Sequence, residues 1–415
     1  MYQSMYGKVQ NFDAVAEFDY SLFIVWEDAK EFIDDIREKL NERFNLLLDA
    51  SVEWSDKYFI ENACRLYEIP INDTDKVNVD ILNKIGTPKF HLFMIQDVEP
   101  HYTYLPSVSG KVELSNTAVV AAKYEFREWV KAKTGKSFSI HSTNNISEFH
   151  FQAPLLLGLN LYEKIINNEK QLVKTLQKDL EGAGSWNSYK ELFDILNVTT
   201  NYLVQRSFET LPFKNEELDI DFLTDSYQRL ASAIGCKQDK KHPYKGVANI
   251  ENNRISIDMR YVGDNYYNTI WSERMLRRKI NCNGVFTPRI DDFFFSLLFH
   301  CKVQKASVKE KYITQLNDIA KILDFDWFNK GLLKDDLQIA KLLNGYYRSE
   351  GYFFELPIDR EVYTNKKIAV HLPQRHHGKK LFSFKNTLKS ILVKFARKVL
   401  SNSAYKKLVS TYKKF

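Results

Sequence analysis

The sequence predicts an α+β protein built from several domains. Three observations carry this reading. The chain has 415 residues, more than one hydrophobic core usually serves. It is 44% hydrophobic and 27% charged, enough apolar material for packed cores. Its apolar residues switch repeatedly between a period of two and a period near 3.6, the marks of strand and helix. With only 15 Gly and 10 Pro, collagen-like and low-complexity classes are excluded. No run of 18 apolar residues occurs, so no membrane-spanning helix is expected.

Residues 21–158 alternate strand and helix. Ser21–Trp26 is an apolar strand, and Glu27–Phe44 carries Phe32, Ile33, Ile36 and Leu40 at helical spacing. Leu46–Val52 reads as a strand, and Ser55 opens a helix to Tyr67. Phe90–Gln96 is a strand, Asn116–Ala132 a helix, Phe138–His141 a strand and Ile146–Leu157 a helix. This order suits a ferredoxin-like sheet, so 1–158 is expected to be a ferredoxin-like α/β domain.

Residues 159–185 read as a polar helical linker ending at Gly182-Ala183-Gly184-Ser185. A second, mixed α/β domain is expected over 186–288. Trp186–Leu196 is its first helix, Asn201–Gln205 and Leu218–Leu223 are strands, and Asn249–Tyr261 is a hairpin turning at Asn252-Asn253. After Asn268 the pattern becomes helical. A helical region over 289–374 contains Arg289–Lys305, Ser307–Leu323 and Leu332–Leu343. The basic tail, 375–415, completes the layout.

Net charge divides the chain unevenly. The formal charge is +6, yet the last acidic residue is Glu361, and 14 Lys and Arg follow it. Residues 1–361 hold 45 basic and 53 acidic side chains, a balance of −8. Such asymmetry points to a polyanionic partner for the tail. In 383–415, Phe384, Leu388, Ile391, Leu392, Phe395, Val399 and Leu400 share one helical face, and Lys385, Lys389, Lys394, Arg397 and Lys398 flank it. A basic amphipathic helix with aromatic residues suits an anionic membrane surface. The alternative is docking on the acidic body. Nucleic acid is disfavoured, because the body is acidic and lacks interleaved basic and aromatic residues. Met1 to Asp13 has no apolar core of a signal peptide, and Cys64, Cys236, Cys282 and Cys301 form no C-x-x-C pair. A cytoplasmic protein, peripheral on the inner membrane face, is expected.

The chemistry concentrates in Asn201–Asp225. Asp219 and Asp221 lie one residue apart on a strand, so their carboxylates share a face while Ile220 and Phe222 point the other way. Carboxylates this close repel unless a cation lies between them. Mg²⁺ suits carboxylate oxygens together with substrate phosphates. Asp258, on a later strand, supplies a third carboxylate, and such a trio can clamp a phosphoryl displacement. The alternative is an edge-strand pair facing solvent. Lys302, Lys305, Lys309 and Lys311 are candidates for a polyphosphate or for a solvated face. His300 reads as a core or flank histidine.

An apolar strand, the turn Arg206-Ser207, then Asp219-Ile220-Asp221 and a strand-borne Asp258 resemble the polymerase-β-like nucleotidyltransferase superfamily. The likeness covers roughly 186–325. The segments NYLVQRSFETLP, YVGDNYYNTIWSERML and DDFFFSLLFHCKVQKASVKEKY resemble nucleotidyltransferase-like proteins of bacterial capsule and O-antigen gene clusters. The resemblance implies Mg²⁺ on Asp219, Asp221 and Asp258, with Asp258 also helping to activate an acceptor hydroxyl. It implies a nucleoside triphosphate or nucleotide-activated donor and a glycan or lipid-linked glycan acceptor. Ser207 would occupy the phosphate-contacting position. The family's usual glycine is replaced by Arg206, whose side chain would contact phosphate instead, or whose presence would mark altered or lost nucleotide binding. That replacement keeps open a non-catalytic scaffold of a membrane glycan-assembly complex.

A second, shorter likeness lies in the first domain. Phe138 to Asn145, followed by Ser147-Glu148, resembles the catalytic stretch of nucleoside diphosphate kinases. It implies that His141 accepts a phosphoryl group and that Lys123 and Arg127, one helical turn apart, face phosphates. The alternative is a structural His141 capping the helix after Asn145.

Overall fold

A computed structural model describes residues 18–71, 85–106, 112–136 and 138–375. The fold is α+β, as expected. The tail helix expected over 383–415 lies outside the described residues.

The first half is built on a five-stranded sheet. Its strands are β1 (Asp19–Trp26), β2 (Asn45–Glu53), β3 (Lys89–Asp97), β6 (Ile140–Ser142) and β7 (Thr175–Gln177). A separate hairpin, β4 (Tyr102–Pro106) with β5 (Val112–Asn116), precedes the helix Thr117–Thr134. The sheet order is β6-β1-β3-β2-β7. Neighbouring strands among the first four pair antiparallel, and β7 joins β2 in parallel. Every residue of β1 is buried, because both sheet faces are covered. Phe23 and Val25 pack with Ile36 and Leu40 of the helix Ile33–Arg43, and with Val119, Ala122 and Phe126 of the helix Thr117–Thr134. Leu22, Ile24 and Trp26 point to the other face, into a much larger core. Strand alternation thus divides one apolar run between two cores.

Helix starts follow from side-chain capping. Asn116 accepts the amides of Ala118 and Val119, and Asn145 accepts that of Glu148. The expected helix over 159–185 is not formed: helix ends at Ile166, and Thr175–Gln177 becomes β7. Asn168 stops the helix by taking φ +63°, where the Tyr20 hydroxyl and the Gln96 amide hold its side-chain oxygen. The following residues then satisfy the open edge of β2.

The second half carries a mixed sheet: β8 (Tyr202–Val204), β9 (Asp219–Thr224), β10 (Lys237–Gln238), β11 (Lys245–Ile250) and β12 (Asn253–Tyr261). Its order is β10-β11-β12-β9-β8. β9 and β12 pair in parallel, while the remaining pairs are antiparallel. The β11–β12 turn sits at Glu251-Asn252, both at positive φ, one residue before the expected position. A further hairpin, β13 (Ile280–Cys282) and β14 (Val285–Thr287), interrupts the region expected to be helical. Its Asn283-Gly284 turn has both residues at positive φ, as a two-residue hairpin requires. Helices Ile290–Val303, Glu310–Ile322 and Asp336–Glu350 follow, and residues 352–375 strap back across them.

The two halves share one core. Ile24 and Leu92 of the first sheet belong to the same apolar cluster as Phe222, Ile257 and Leu298. A buried arginine also spans them. Arg65, on the helix Phe59–Leu66, donates from Nε to Ser232 O at 2.9 Å, and from Nη2 to Glu181 O at 2.7 Å and Ala233 O at 2.9 Å. Among the described residues it forms no ion pair, so burial outweighs the nearby Glu61 and Glu181 carboxylates and pushes its pKa down to about 10. Among the described residues, no helix is long and apolar enough to cross a membrane.

Candidate functional site

The parallel pairing of β9 and β12 sets the site. Its register places Asp258 opposite Asp221 and Ser256 opposite Asp219. Ile220, Phe222, Ile257 and Met259 face the core, so Asp219, Asp221 and Asp258 emerge together on the opposite face. The segment leaving β8 stays attached to β9 through Gln205 N–H to Asp221 O, at 2.8 Å. Arg206 therefore begins the turn directly beside Asp221.

Two buried arginines meet these carboxylates. Arg206 Nη2 donates to Asp221 Oδ2 at 2.6 Å, with the arginine side chain only 7% exposed. Arg260 Nη2 donates to Asp258 Oδ2 at 2.9 Å, and its Nη1 donates to Asp359 Oδ2 at 3.1 Å. Lys245 Nζ also pairs with Asp359, at 3.1 Å. Arg260 lies over the Tyr266 ring, 4.6 Å from its centroid. Asp219 has no ion-pair partner among the described residues. Four aspartates thus face Arg206, Arg260 and Lys245, and Lys245 also pairs with Glu361 at 3.3 Å.

The electrostatics follow from burial and proximity. Burial raises the pKa of Asp219, and Asp221 raises it further. Burial likewise raises Asp258; Asp221 adds to this while Arg260 opposes it. For Arg206, burial works against the charge, but Asp221 outweighs it and holds the guanidinium firmly protonated. Burial, then Arg206 and Lys305, drive the His300 pKa well below its ordinary value. His300 is a neutral ring whose Nδ1 lies 3.0 Å from the Tyr266 hydroxyl.

These groups line a cavity of about 590 Å³. Its acidic wall is Glu217, Asp219, Asp221, Asp258, Asp359 and Glu361; its basic groups are Arg206, Lys245, Arg260, Lys305 and Lys309. Tyr266, Tyr312, Tyr363 and His300 supply rings. Of the four lysines singled out in the sequence, Lys305 and Lys309 reach this cavity. Lys302 is held by Asp336 at 2.8 Å, and Lys311 pairs with Glu217. Ser207 does not line the cavity: it sits at φ +55° and accepts from Lys311 Nζ at 3.4 Å.

The donor chemistry of the trio fits a hard divalent ion. Among the described residues, Arg206 takes one oxygen of Asp221, and Asp258 Oδ1 is buried with no hydrogen-bond partner. The three side chains are not gathered into a coordination sphere, however. Among the described residues, the group whose ligand atoms all lie within 4.8 Å of one another is His242, Asp359 and Glu361. In that group Asp359 is already neutralised by Arg260 and Lys245, and His242 Nδ1 lies 2.9 Å from the Tyr244 hydroxyl.

The first-half candidates stand apart from this cavity. His141 Nε2 is 2.9 Å from Gln152 Oε1, and its ring meets Tyr67 edge-on at 5.0 Å. Lys123 donates to Ser142 O at 3.4 Å and to Asn144 Oδ1, and Arg127 Nε donates to Ile140 O at 2.9 Å. Both cations therefore grip the backbone of β6 or the turn after it. Burial lowers the Lys123 pKa to about 8 and that of His141 to about 3.

No protein-family model, curated protein or solved structure matches the chain.

Sequence reasoning missed Arg260, Lys245 and Asp359. Arg260 was within reach of it, being two residues past Asp258 on the same strand face. Asp359 arrives from about a hundred residues away and leaves no local signal.

The buried neutral His141 makes a pH prediction. Its folded pKa of about 3 lies below the ordinary 6.5. Its contribution to stability is complete above pH 6.5 and is lost as pH falls towards 3. In His141→Gln, the acid-side fall in unfolding free energy between pH 6 and pH 4 becomes shallower by up to about 1.4 kcal/mol per pH unit. Urea unfolding across this range measures it, and an unchanged slope refutes the assignment.

Proposed function

We propose that the chain is a Mg²⁺-dependent nucleotidyl- or phosphotransferase acting on a surface-glycan precursor. One observation carries the reading. Asp221 and Asp258 stand side by side on parallel strands, with Asp219 on the same face, and all three open on a cavity that also contains Lys305 and Lys309. Acidic and basic groups around one polar cavity suit a phosphate ligand that arrives with a metal ion. In this reading Asp219, Asp221 and Asp258 hold Mg²⁺. When bound, the ion offsets charge on the donor phosphates. Lys305, Lys309 and Arg206 bind phosphate oxygens. Asp258 would also accept the proton of an acceptor hydroxyl; its Oδ1 is buried and has no hydrogen-bond donor among the described residues. The donor is a nucleoside triphosphate or nucleotide-activated compound. The glycan or lipid-linked glycan acceptor rests on the resemblance to capsule and O-antigen proteins. The strand order β6-β1-β3-β2 supports reading the first half as a ferredoxin-like domain.

A second reading is favoured by the Arg206–Asp221 ion pair. If that pair is permanent, the site is a non-catalytic nucleotidyltransferase-like scaffold. Calorimetry with nucleoside triphosphates and Mg²⁺ separates the two, since only the first reading requires metal-dependent binding. No comparable observation favours His141 as a phosphoryl carrier, because its Nε2 faces Gln152.

The Asp219→Ala/Asp221→Ala double variant should lose Mg²⁺-dependent turnover of the donor by on the order of 10³-fold while keeping its circular dichroism spectrum. Retained turnover would sink the transferase reading.

We place the protein on the cytoplasmic membrane face through the basic residues 383–415. A chain ending at Gln374 should no longer sediment with liposomes rich in anionic lipid, at low ionic strength, while the full chain does. Equal sedimentation of both would remove the tail from membrane binding.

A further inference from the structure

We infer that Arg206 is a resident counter-ion occupying the metal's place at Asp221, and that a phosphate ligand releases it. The inference rests on the metal-dependent reading above and adds an order of events to it: ion and phosphate load the site together, and the ion binds poorly alone.

Arg206 and a divalent ion compete for one carboxylate. The guanidinium lies 2.6 Å from Asp221 Oδ2. An ion on Asp221 would have to share it with a full positive charge in a water-poor place, where charges act strongly on each other. The two arginines of the site differ in how firmly they are held. Arg260 bridges Asp258 and Asp359 and lies over the Tyr266 ring. It has two acids and a ring to keep it in position. Arg206 has a single acid, Asp221, and one long contact from Nη1 to Gln205 Oε1 at 3.4 Å. Its Nε is buried with no hydrogen-bond partner among the described residues. Arg206 is therefore the less firmly held member of the pair.

Its unused donors identify the ligand that moves it. A guanidinium is a planar fork of five N–H donors that matches phosphate oxygens. Arg206 lines the cavity that also contains Lys305 and Lys309. A phosphate group in this cavity would offer Arg206 several acceptors in place of one. Asp221 would then be left without its counter-ion beside Asp219, which has no ion-pair partner among the described residues. A divalent ion then becomes the natural replacement. A glycine at this position would leave the carboxylates open to metal at all times. Arg206 makes metal loading conditional on phosphate.

The test counts Mn²⁺ bound to the full-length protein by water-proton relaxation. A non-hydrolysable ATP analogue serves as the phosphate probe, and a protein-free titration corrects for Mn²⁺ held by the nucleotide. Wild-type protein should bind Mn²⁺ at least about tenfold more tightly with the analogue than without it. Arg206→Gln should bind Mn²⁺ without the analogue at least about tenfold more tightly than wild type does. If Arg206→Gln does not fold, Arg206→Ala takes its place with the same expectation, and Mn²⁺ affinity without the analogue no tighter than wild type in the folded variant overturns the inference. Wild-type Mn²⁺ affinity that is already high and unchanged by the analogue overturns the Arg206 inference and leaves the metal-dependent reading standing. No bound Mn²⁺ in any arm overturns that reading and the inference with it.

Discussion

Two carboxylates pressed side by side must be given a cation, and the site is organised by that requirement. The parallel register of β9 and β12 sets Asp221 against Asp258, with Asp219 two residues away. Burial and mutual repulsion would protonate such a group. The protein answers with Arg206 on Asp221 and Arg260 on Asp258. Each arginine is itself almost buried, so each needs its acid as much as the acid needs it. Neither strand can slip by a residue without sending its core residues, Ile220 and Phe222 on β9 or Ile257 and Met259 on β12, to solvent and its acids into the core. The apolar side of the sheet thereby fixes the polar side.

The rest of the molecule supports that face. Asp359 comes from the C-terminal strap and divides Arg260 between two acids, which leaves Asp258 Oδ1 free. The helix Ile290–Val303 places His300 under the cavity through its contact with Tyr266. The first half contributes through the shared core and through Arg65, which holds the end of the helix Tyr227–Ile234 between β9 and β11. Lys123 and Arg127 stabilise β6 by binding its backbone. They act as structural clamps in a sheet that carries no part of the cavity.

Much of this was legible in the sequence. The Asp-x-Asp strand, its partner Asp258 and the apolar alternation around them follow from a period of two, which survives folding unchanged. The helix Ile146–Leu157 was legible to the residue, because Asn145 is a strong cap and Gly158 ends the run. The Asn283-Gly284 hairpin carried a readable turn signal that the surrounding helical pattern masked. Strand β7 was not readable, because a three-residue edge strand is chosen by the open side of β2 and not by its own residues. The cation between the acids was read as a metal. Local sequence offered Arg206 as a missing glycine, and only the fold shows that it faces Asp221.

The claim at the centre of this account is that the acidic face of β9 and β12 exchanges an arginine for a metal when phosphate binds. Crystals of the full chain grown with Mn²⁺ and a non-hydrolysable nucleoside triphosphate test it most directly, through anomalous scattering at the manganese edge. The account predicts an anomalous peak bound by Asp219 and Asp221, with the Arg206 guanidinium moved from Asp221 to phosphate. An intact Arg206–Asp221 pair beside bound nucleotide, with no anomalous peak on that face, would contradict it.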